Sequence, residues 1–282
     1  MKFIFFGTPE FAKIILEKLI GANFIPTAII TNPDRPVGRK KILTASSVKQ
    51  LLEVKLLKEV GFSRIDILQP ENLSSIIYHL KSIKPEFGIL AAYGKIISQE
   101  IIDIFPRGII VVHPSLLPKY RGATPIQNAL LAGETKTGTT LILMDEKVDH
   151  GPILATDKIT IDNDDNYDRL SKKLADLSAD LLIETLPKYL NGEITPQAQD
   201  HARATYTKKF ISEDGFIDYS IIIGGSEESQ KNAWLKIRAL NPEPGAWTTK
   251  NGRRMKILTA DLIDEKLVLK KIQFESEKVK NI

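Results

Sequence analysis

The amino-acid sequence predicts an α/β protein with a mostly parallel sheet, followed by a small β-rich module. Between residues 2 and 112, short apolar runs alternate with segments whose apolar side chains recur at helical spacing. This alternation is typical of a doubly wound parallel sheet. Beyond residue 207 the pattern changes to short β-forming runs separated by turn residues. The chain has 282 residues, which is long enough for two domains.

The first part of the chain begins with an apolar run, residues 2–6, which ends at Gly7, Thr8 and Pro9. Thr8 is a candidate helix cap, with Pro9 as the first helical residue. The same alternation continues from there. Further strands are predicted at residues 26–31, 65–68, 87–92, 109–112, 139–144 and 152–160. Helices are predicted at residues 11–20, 47–60, 72–82, 97–104, 126–132 and 167–190, the last of them broken or ended near Pro187.

The second part of the chain follows a polar stretch, residues 191–207, with little apolar patterning, which is typical of a linker. A short helix closes at Leu240, and β-forming runs follow at residues 246–249, 255–262 and 267–274. The pair Asn251-Gly252 between the first two runs is a strong hairpin signal. We therefore expect a first domain at residues 1–190, a linker at 191–207 and a β-rich domain at 208–282.

The composition excludes several classes of protein. Apolar residues make up 43% and charged residues 26% of the chain, as in ordinary globular proteins. The absence of cysteine excludes disulfides, zinc–thiolate sites and thiol catalysis. No apolar run is long enough for a membrane span, so a cytoplasmic protein is expected. The net charge of +4 permits a polyanionic partner without requiring one.

Residues 34–49 form a basic stretch with five Lys or Arg residues and one acidic residue. Two interpretations are open at this point: a solvated loop, or an arm that contacts phosphates. The first strand is followed by neither a GxGxxG nor a Walker pattern, so we reject dinucleotide and ATP binding. In open parallel sheets the ligand crevice lies at the carboxyl ends of the strands, where residues 7–9 would be placed.

Two titratable residues follow apolar runs and form a candidate acid/base pair. His113 ends the run 109–112, and Asp149 comes soon after the run 139–144. Between the two runs lies a Pro-rich loop, residues 114–125, that carries Lys119, Tyr120 and Arg121. A histidine at a strand end is also common as a structural residue, and Asp before Gly is common in turns. The pair alone therefore leaves both interpretations open.

Several motifs resemble those of the methionyl-tRNA formyltransferases, a family within the formyltransferase superfamily. They occur in the same order over nearly the whole chain. They are GTPEFA (7–12), TNPDRPVGRKKILTASSVK (31–49), LQPENL (68–73), AYGKII (92–97), HPSLLPKYRGATPIQ (113–127), MDEKVDHG (144–151), TYTKKFISEDGFIDYS (205–220) and IRALNPEPGAW (237–247). HPSLLP marks the superfamily, whereas the DRPxGR loop together with NPxPxxW points to the tRNA enzymes.

The resemblance implies a Rossmann-like catalytic domain followed by a small β-barrel resembling an OB fold. It implies 10-formyltetrahydrofolate as formyl donor, methionyl-initiator tRNA as acceptor and no metal. It also implies a monomer that binds neither DNA nor membranes. His113 and Asp149 match the family's catalytic positions. The positions that match the folate pocket are Ser115, Leu116, Leu117, Pro118, Tyr93, Gly94 and Ile97. Those that match the tRNA contacts are Arg35, Arg39, Lys40 and Lys41. For Arg121, a folate glutamate and an RNA phosphate both remain possible partners.

Formyl transfer needs a group that stabilises an oxyanion and a route for the proton of the amine. A protonated His113 suits the first task, and Asp149 would favour its charged form by charge pairing. The family pattern is Asn-x-His, whereas Val111 occupies the Asn position here. An isopropyl group cannot donate a hydrogen bond, and losing one oxyanion donor typically costs about 10²–10³ in rate.

Three interpretations of Val111 remain open. The protein is a slow formyltransferase, or another group such as Gln127 or Asn128 supplies the missing donor, or the chain binds tRNA or folate without turnover. An amino-sugar-nucleotide N-formyltransferase is a further alternative. The basic loop and the NPEPGAW segment argue against it, because a small acceptor requires neither.

Overall fold

The computed structural model describes residues 1–38, 40–56 and 65–282, with the backbone alone at 54–56. Its strands are β1 (Phe3–Gly7), β2 (Ala28–Ile30), β3 (Arg35–Val37), β4 (Ile42–Thr44), β5 (Asp66–Leu68), β6 (Phe87–Ala91), β7 (Ile109–His113), β8 (Arg121–Gly122), β9 (Lys136–Leu143), β10 (Ile153–Thr160), β11 (Tyr206–Thr207), β12 (Ala246–Lys250), β13 (Arg253–Ile263), β14 (Lys266–Phe274) and β15 (Lys280–Asn281). Its α-helices are α1 (Glu10–Gly21), α2 (Ser47–Leu56), α3 (Ile77–Ile83), α4 (Gln99–Ile102), α5 (Pro125–Leu131), α6 (Tyr167–Leu190), α7 (Tyr219–Gly224) and α8 (Glu227–Leu240). Short 3₁₀ turns lie at Leu73–Ile76, His201–Arg203 and Ser212–Gly215.

The first compact unit comprises residues 1–121, 138–158 and 172–205 and is built on a seven-stranded sheet. The strand order is β10-β9-β7-β6-β1-β2-β5, and the pairs from β7 through β6 and β1 to β2 and β5 are parallel. Strand β9 runs antiparallel to β7. The central strands are buried along their whole length, as expected for a sheet covered on both faces. The predicted, mostly parallel α/β architecture is confirmed.

The second compact unit comprises residues 122–137, 159–171 and 206–282. Strands β12, β13, β14 and β15 form an antiparallel sheet in that order, and the predicted Asn251-Gly252 turn joins β12 to β13. Helix α8 packs against the face that carries Met255 and Ile257. The β-rich module is confirmed. The expected closure into a barrel is not found within the described ranges, since β12 and β15 are the two edges of the sheet.

Two local predictions need correction. Thr8 does not cap α1, because Pro9 is the capping residue. The Thr8 Oγ1 instead accepts a hydrogen bond from the backbone N–H of Asn32 at 3.3 Å. The basic stretch contains the antiparallel hairpin β3–β4.

The predicted helix at 47–60 is described to Leu56, and its last four residues lie outside the described residues. No helix within the described part of the chain combines the length and apolarity needed to cross a lipid bilayer.

Candidate active site

Strand β7 delivers His113 to the carboxyl edge of the sheet, and the turn after β9 brings Asp149 beside it. The imidazole Nδ1 lies 3.5 Å from the Asp149 Oδ2. Their side chains are 5% and 13% exposed, so the pair is largely shielded from solvent. At 3.5 Å the contact is long for a hydrogen bond, and it is an ion pair only when the ring is protonated.

The second ring nitrogen of His113 faces the backbone carbonyl of Tyr120, with an Nε2–O distance of 3.0 Å. A carbonyl oxygen can only accept, so Nε2 carries the proton in this contact. Both ring nitrogens thus face oxygen acceptors. A doubly protonated imidazole satisfies both, and Nε2 must exchange the carbonyl for a substrate atom if it is to act on one.

The Pro-rich loop after β7 is held by a compact set of hydrogen bonds. The Ser115 amide donates to the His113 carbonyl (2.9 Å), and its hydroxyl donates to the Lys119 carbonyl (2.7 Å). The Thr140 hydroxyl donates to the Ser115 carbonyl (2.7 Å) and accepts from the Leu117 amide (3.2 Å). Ser115 and Leu117 are buried, whereas Leu116 and Pro118 are half-buried. The loop next to His113 is therefore shaped by its own sequence and by β9.

Val111 lies two residues before His113 on the same strand, so both side chains point to the same face of the sheet. It is 6% exposed and packs with Leu117 and Ile142, with Leu90 and Met144 alongside. Its surroundings are apolar and fit an isopropyl group. Of the two suggested substitutes, Asn128 donates its side-chain amide to the Thr124 carbonyl and hydroxyl, at 2.8 and 2.9 Å. These hydrogen bonds within the first turn of α5 account for that amide without an oxyanion role.

The segment that matches the other folate wall follows β6. Tyr93 is 1% exposed and Ile97 is 8% exposed, and both belong to the core of the first unit. The Tyr93 ring packs edge-on against Phe6, with ring centroids 5.8 Å apart. Burial raises the pKa of the Tyr93 phenol to about 12. Gly94 is exposed, with φ of +81°, so the backbone at this position is accessible.

The motifs that carry His113 and Asp149 meet at one site in the structure. Comparison with known proteins identifies the family. Residues 1–186 match the formyl transferase family model, and residues 226–278 match the model of the formyl transferase C-terminal domain. The chain belongs to the formyltransferase family. The first match covers the strands and loops that carry His113 and Asp149.

Relatives within the formyltransferase family share about two fifths of the sequence. The methionyl-tRNA formyltransferase of Chloroflexus aurantiacus is 40% identical over 262 residues, which covers 92% of this chain and 80% of the relative. That of Dictyoglomus thermophilum is 42% identical over 265 residues, covering 93% and 80%. Solved structures at lower identity share the fold. They include a methionyl-tRNA formyltransferase from Clostridium thermocellum (TM-score 0.61, 18% identity, covering 98% of this chain and 99% of that one). Another is HypX from Aquifex aeolicus in complex with tetrahydrofolic acid (TM-score 0.64, 16% identity, covering 92% and 38%).

The basic stretch of this formyltransferase family member is an exposed hairpin with an anchored base. Arg35, Lys40 and Lys41 are exposed, whereas Arg39 lies outside the described residues. At the base, the Asp34 carboxylate accepts from the Gln69 amide and from the Lys49 ammonium, both at 2.7 Å. The Gln69 hydrogen bond, followed by that of Lys49, lowers the pKa of Asp34. The hairpin is thus a structured arm and not an irregular solvated loop.

Arg121, for which the formyltransferase motifs leave a folate glutamate and an RNA phosphate open as partners, is turned into the fold. It is 1% exposed, and its Nη2 donates to the Gln199 Oε1 at 2.6 Å and contacts the His201 Nδ1 at 2.9 Å. Partial loss of hydration, together with His150 and Arg121, lowers the pKa of His201. Sequence reasoning missed Gln199 and His201, because a polar stretch without periodicity predicts a linker. The sequence signal nearest to these two residues was the family motif TYTKK, which begins at Thr205.

Proposed function

We propose that this protein transfers the formyl group of 10-formyltetrahydrofolate to the α-amino group of methionyl-initiator tRNA. The observation that carries the proposal is the shielded His113–Asp149 pair, with nitrogen and oxygen 3.5 Å apart, at the positions that match the family's catalytic motif. Relatives named methionyl-tRNA formyltransferase, about 40% identical over most of the chain, support the choice of acceptor. In this proposal residues 1–190 form the catalytic domain and residues 208–282 form a tRNA-binding domain. Residues 191–207 link the two domains.

The chemistry is acyl transfer to an amine. His113 in its protonated form donates Nε2–H to the negative charge that develops on the formyl oxygen, after releasing the Tyr120 carbonyl. Asp149 holds the ring through Nδ1 and, through water, relays the proton of the attacking amine to the folate nitrogen. The bond between that nitrogen and the formyl carbon breaks as the oxyanion collapses to the new amide. Val111 offers no donor, so the rate is expected to be about 10²–10³ below that of a site with the Asn donor.

Unsatisfied atoms near Gly94 favour a folate donor. Within the described ranges, neither the Asn32 Oδ1 nor the Tyr93 Oη has a hydrogen-bond partner, although both atoms are buried. Unpaired buried polar atoms are costly and often mark a ligand site. A pterin edge offers an amino group, a ring N–H and a carbonyl, which is the set of donors and acceptors that would satisfy them. When bound, 10-formyltetrahydrofolate supplies the formyl group and an amine leaving group.

Two basic surfaces, each within its own unit, support a tRNA acceptor. The first is the β3–β4 hairpin with Arg35, Lys40 and Lys41. The second lies on β12 and β13, where Arg254 and Lys256 are exposed on alternate positions while Met255 and Ile257 are buried. The Arg254 guanidinium lies 4.0 Å from the centroid of the Trp247 ring. Cationic and aromatic side chains together are typical of nucleic-acid surfaces.

The test is a single-turnover formylation assay with methionyl-initiator tRNA and 10-formyltetrahydrofolate, with the His113→Ala variant beside the wild type. Formyl-methionyl-tRNA should accumulate with the wild type, and the His113→Ala rate should be at least about 10²-fold lower. An amino-sugar nucleotide serves as the alternative acceptor. Transfer to the sugar and not to tRNA would reject the proposal.

A binding protein without turnover is the second candidate, and Val111 is the observation that favours it. Wild-type protein that binds charged initiator tRNA and folate but yields no formyl-methionyl-tRNA would establish that candidate instead. We also propose that the protein works in the cytoplasm as a monomer, which cell fractionation and light scattering would check.

A further inference from the structure

Residues 199–205, which we call the brace, lie against both flanks of the His113–Asp149 pair. Gln199 is 6% exposed, and its Nε2 donates to the Asp149 carbonyl at 3.0 Å and to the Gly151 carbonyl at 2.7 Å. One side-chain amide thus holds the backbone on both sides of His150. The turn that presents the Asp149 carboxylate is fixed from outside the β9–β10 connection.

The same side chain connects to the other flank of the pair. The Gln199 Oε1 accepts from the Arg121 guanidinium at 2.6 Å. The Arg121 amide donates to the Thr205 carbonyl at 2.8 Å, and the Tyr120 amide donates to the Thr205 hydroxyl at 2.8 Å. Tyr120 is the residue whose carbonyl faces the His113 Nε2. The brace therefore holds the acceptors that face both ring nitrogens of His113.

His201 adds a contact in the centre of the brace. Its ring stacks on that of His150, with centroids 4.0 Å apart and planes within 4°. The His150 Nδ1 in turn contacts the Asp145 Oδ2 at 2.6 Å. His150 directly follows Asp149, so this stack restrains the same turn as the Gln199 amide does.

The backbone conformation of Asp149 is consistent with such external restraint. Its φ is +48°, in the left-handed region, which Asp occupies more often than most residues with a side chain but still uncommonly. A conformation of this kind persists when the surroundings fix it. The hydrogen bonds of Gln199 to the carbonyls of Asp149 and Gly151 provide that fixation.

We infer that Gln199, anchored by Arg121, is a positioning residue that sets the contact between Asp149 and His113. The inference rests on the proposed function, since it describes how that site is held. Gln199 acts on the backbone and not on the substrate. Its removal should therefore lower kcat and leave KM for both substrates nearly unchanged.

The test uses three substitutions in the full chain. Gln199→Leu removes the amide and its acceptor. Gln199→Glu keeps the shape and the contact with Arg121 but loses the donors to the Asp149 and Gly151 carbonyls. Gln197→Leu is the matched control, because Gln197 is exposed and joins Ile153 through its backbone. Both Gln199 variants should lower kcat at least tenfold with KM changed less than threefold, and Gln197→Leu should match the wild type.

A readout independent of turnover separates this inference from the proposed function. The chain contains four histidines, so the ring ¹⁵N resonances can be assigned by single substitutions. The His113 resonances should shift in both Gln199 variants and stay fixed in Gln197→Leu. His79, which faces Asp66 with Nε2 and Oδ2 3.4 Å apart, serves as the internal reference and should not move.

A wild-type rate in Gln199→Glu, or unshifted His113 resonances in both Gln199 variants, would overturn the inference. If the wild type transfers no formyl group, the proposed function fails. The resonances of His113 then still decide whether the brace sets the pair.

Discussion

We propose that the side chain at position 111 limits the rate of formyl transfer. Val111 and His113 share a face of β7, so an amide at 111 would lie beside the imidazole. We predict that Val111→Asn raises the single-turnover formylation rate by about 10²-fold, because it restores a donor. The same change places a polar group among Leu117 and Ile142 and should lower the free energy of unfolding by about 1–3 kcal/mol.

Val112→Asn is the matched control for this prediction, since Val112 is equally buried but points to the opposite face. It should lower the free energy of unfolding, measured in urea, without raising the rate. Equal rates for wild type and Val111→Asn would mean that position 111 does not limit the reaction.

Tyr93 gives a second prediction at the scale of one residue. Burial raises the pKa of its phenol to about 12, from 10.0. A group whose pKa is raised on folding contributes stability that is complete below pH 10 and is lost as pH rises through 12. Relative to Tyr93→Phe, the wild type should lose up to ~3 kcal/mol of unfolding free energy between pH 9 and 12.

Urea unfolding of both proteins across this pH range checks the prediction about Tyr93. Tyr78→Phe is the control, because Tyr78 is 88% exposed. Its stability should follow that of the wild type at every pH. A difference between wild type and Tyr93→Phe that stays constant with pH would mean that the phenol ionises as readily folded as unfolded.

Among the elements, the β3–β4 hairpin depends on one carboxylate at its base. The hydrogen bond from Gln69, and then that from Lys49, lowers the pKa of Asp34 below its ordinary value of 3.8. A group whose pKa is lowered on folding contributes stability above its unfolded pKa and loses it as pH falls through the folded value. Asp34→Asn should therefore melt below the wild type at pH 5, and the gap in Tm should close as pH falls below 3.8.

Glu53→Gln is the control for the hairpin prediction. The Glu53 carboxylate also faces Lys49, but at 3.9 Å and with about half of its side chain exposed. Exposed ion pairs of this kind contribute little. The melting curve of Glu53→Gln should stay close to that of the wild type. An equal decrease of Tm in Glu53→Gln and Asp34→Asn would mean that only the neutralisation of the Lys49 charge matters, and not the hydrogen bonds of Asp34.

The elements also show what sequence patterns can and cannot predict. Helix α6 was predicted over residues 167–190, because its apolar stripe repeats over many turns, but the expected break or end near Pro187 was wrong, since the helix continues through it to Leu190. The turn between β12 and β13 followed from Asn251-Gly252. Periodicity is a property of neighbours along the chain, so it detects such elements. It does not detect the brace, whose polar side chains gain their partners from residues 48 to 85 positions away.

The candidate site likewise contains residues that the sequence predicts and residues whose surroundings it does not. His113 and Asp149 were predicted from strand ends and motif spacing, and the structure brings them to 3.5 Å. For Arg121 two anionic partners were left open, and the structure shows its side chain buried against Gln199 and His201. A motif indicates that a residue type is required at a position. It does not indicate whether the side chain turns outward to a substrate or inward to the fold.

For the whole molecule, the net charge of +4 matters less than where the exposed basic residues lie. Two groups of them lie on the hairpin of the first unit and on the outer face of β13 in the second. If both surfaces contact phosphates of one tRNA, each must contribute its own counterion release. We predict that Lys40→Ala with Lys41→Ala, and Arg254→Ala with Lys256→Ala, each reduce the slope of log K against log salt by about 1–2.

Combining the four substitutions distinguishes one shared ligand from two separate ones. A single tRNA that contacts both surfaces requires the slope changes of the two double variants to add in the quadruple variant. Lys81→Ala with Lys84→Ala is the control of equal charge change, on exposed residues at the end of α3. The slopes are measured by filter binding of methionyl-initiator tRNA at salt concentrations from about 50 to about 200 mM. A control variant that lowers the slope as much as the others would show that binding follows net charge, and that neither surface contacts the tRNA specifically.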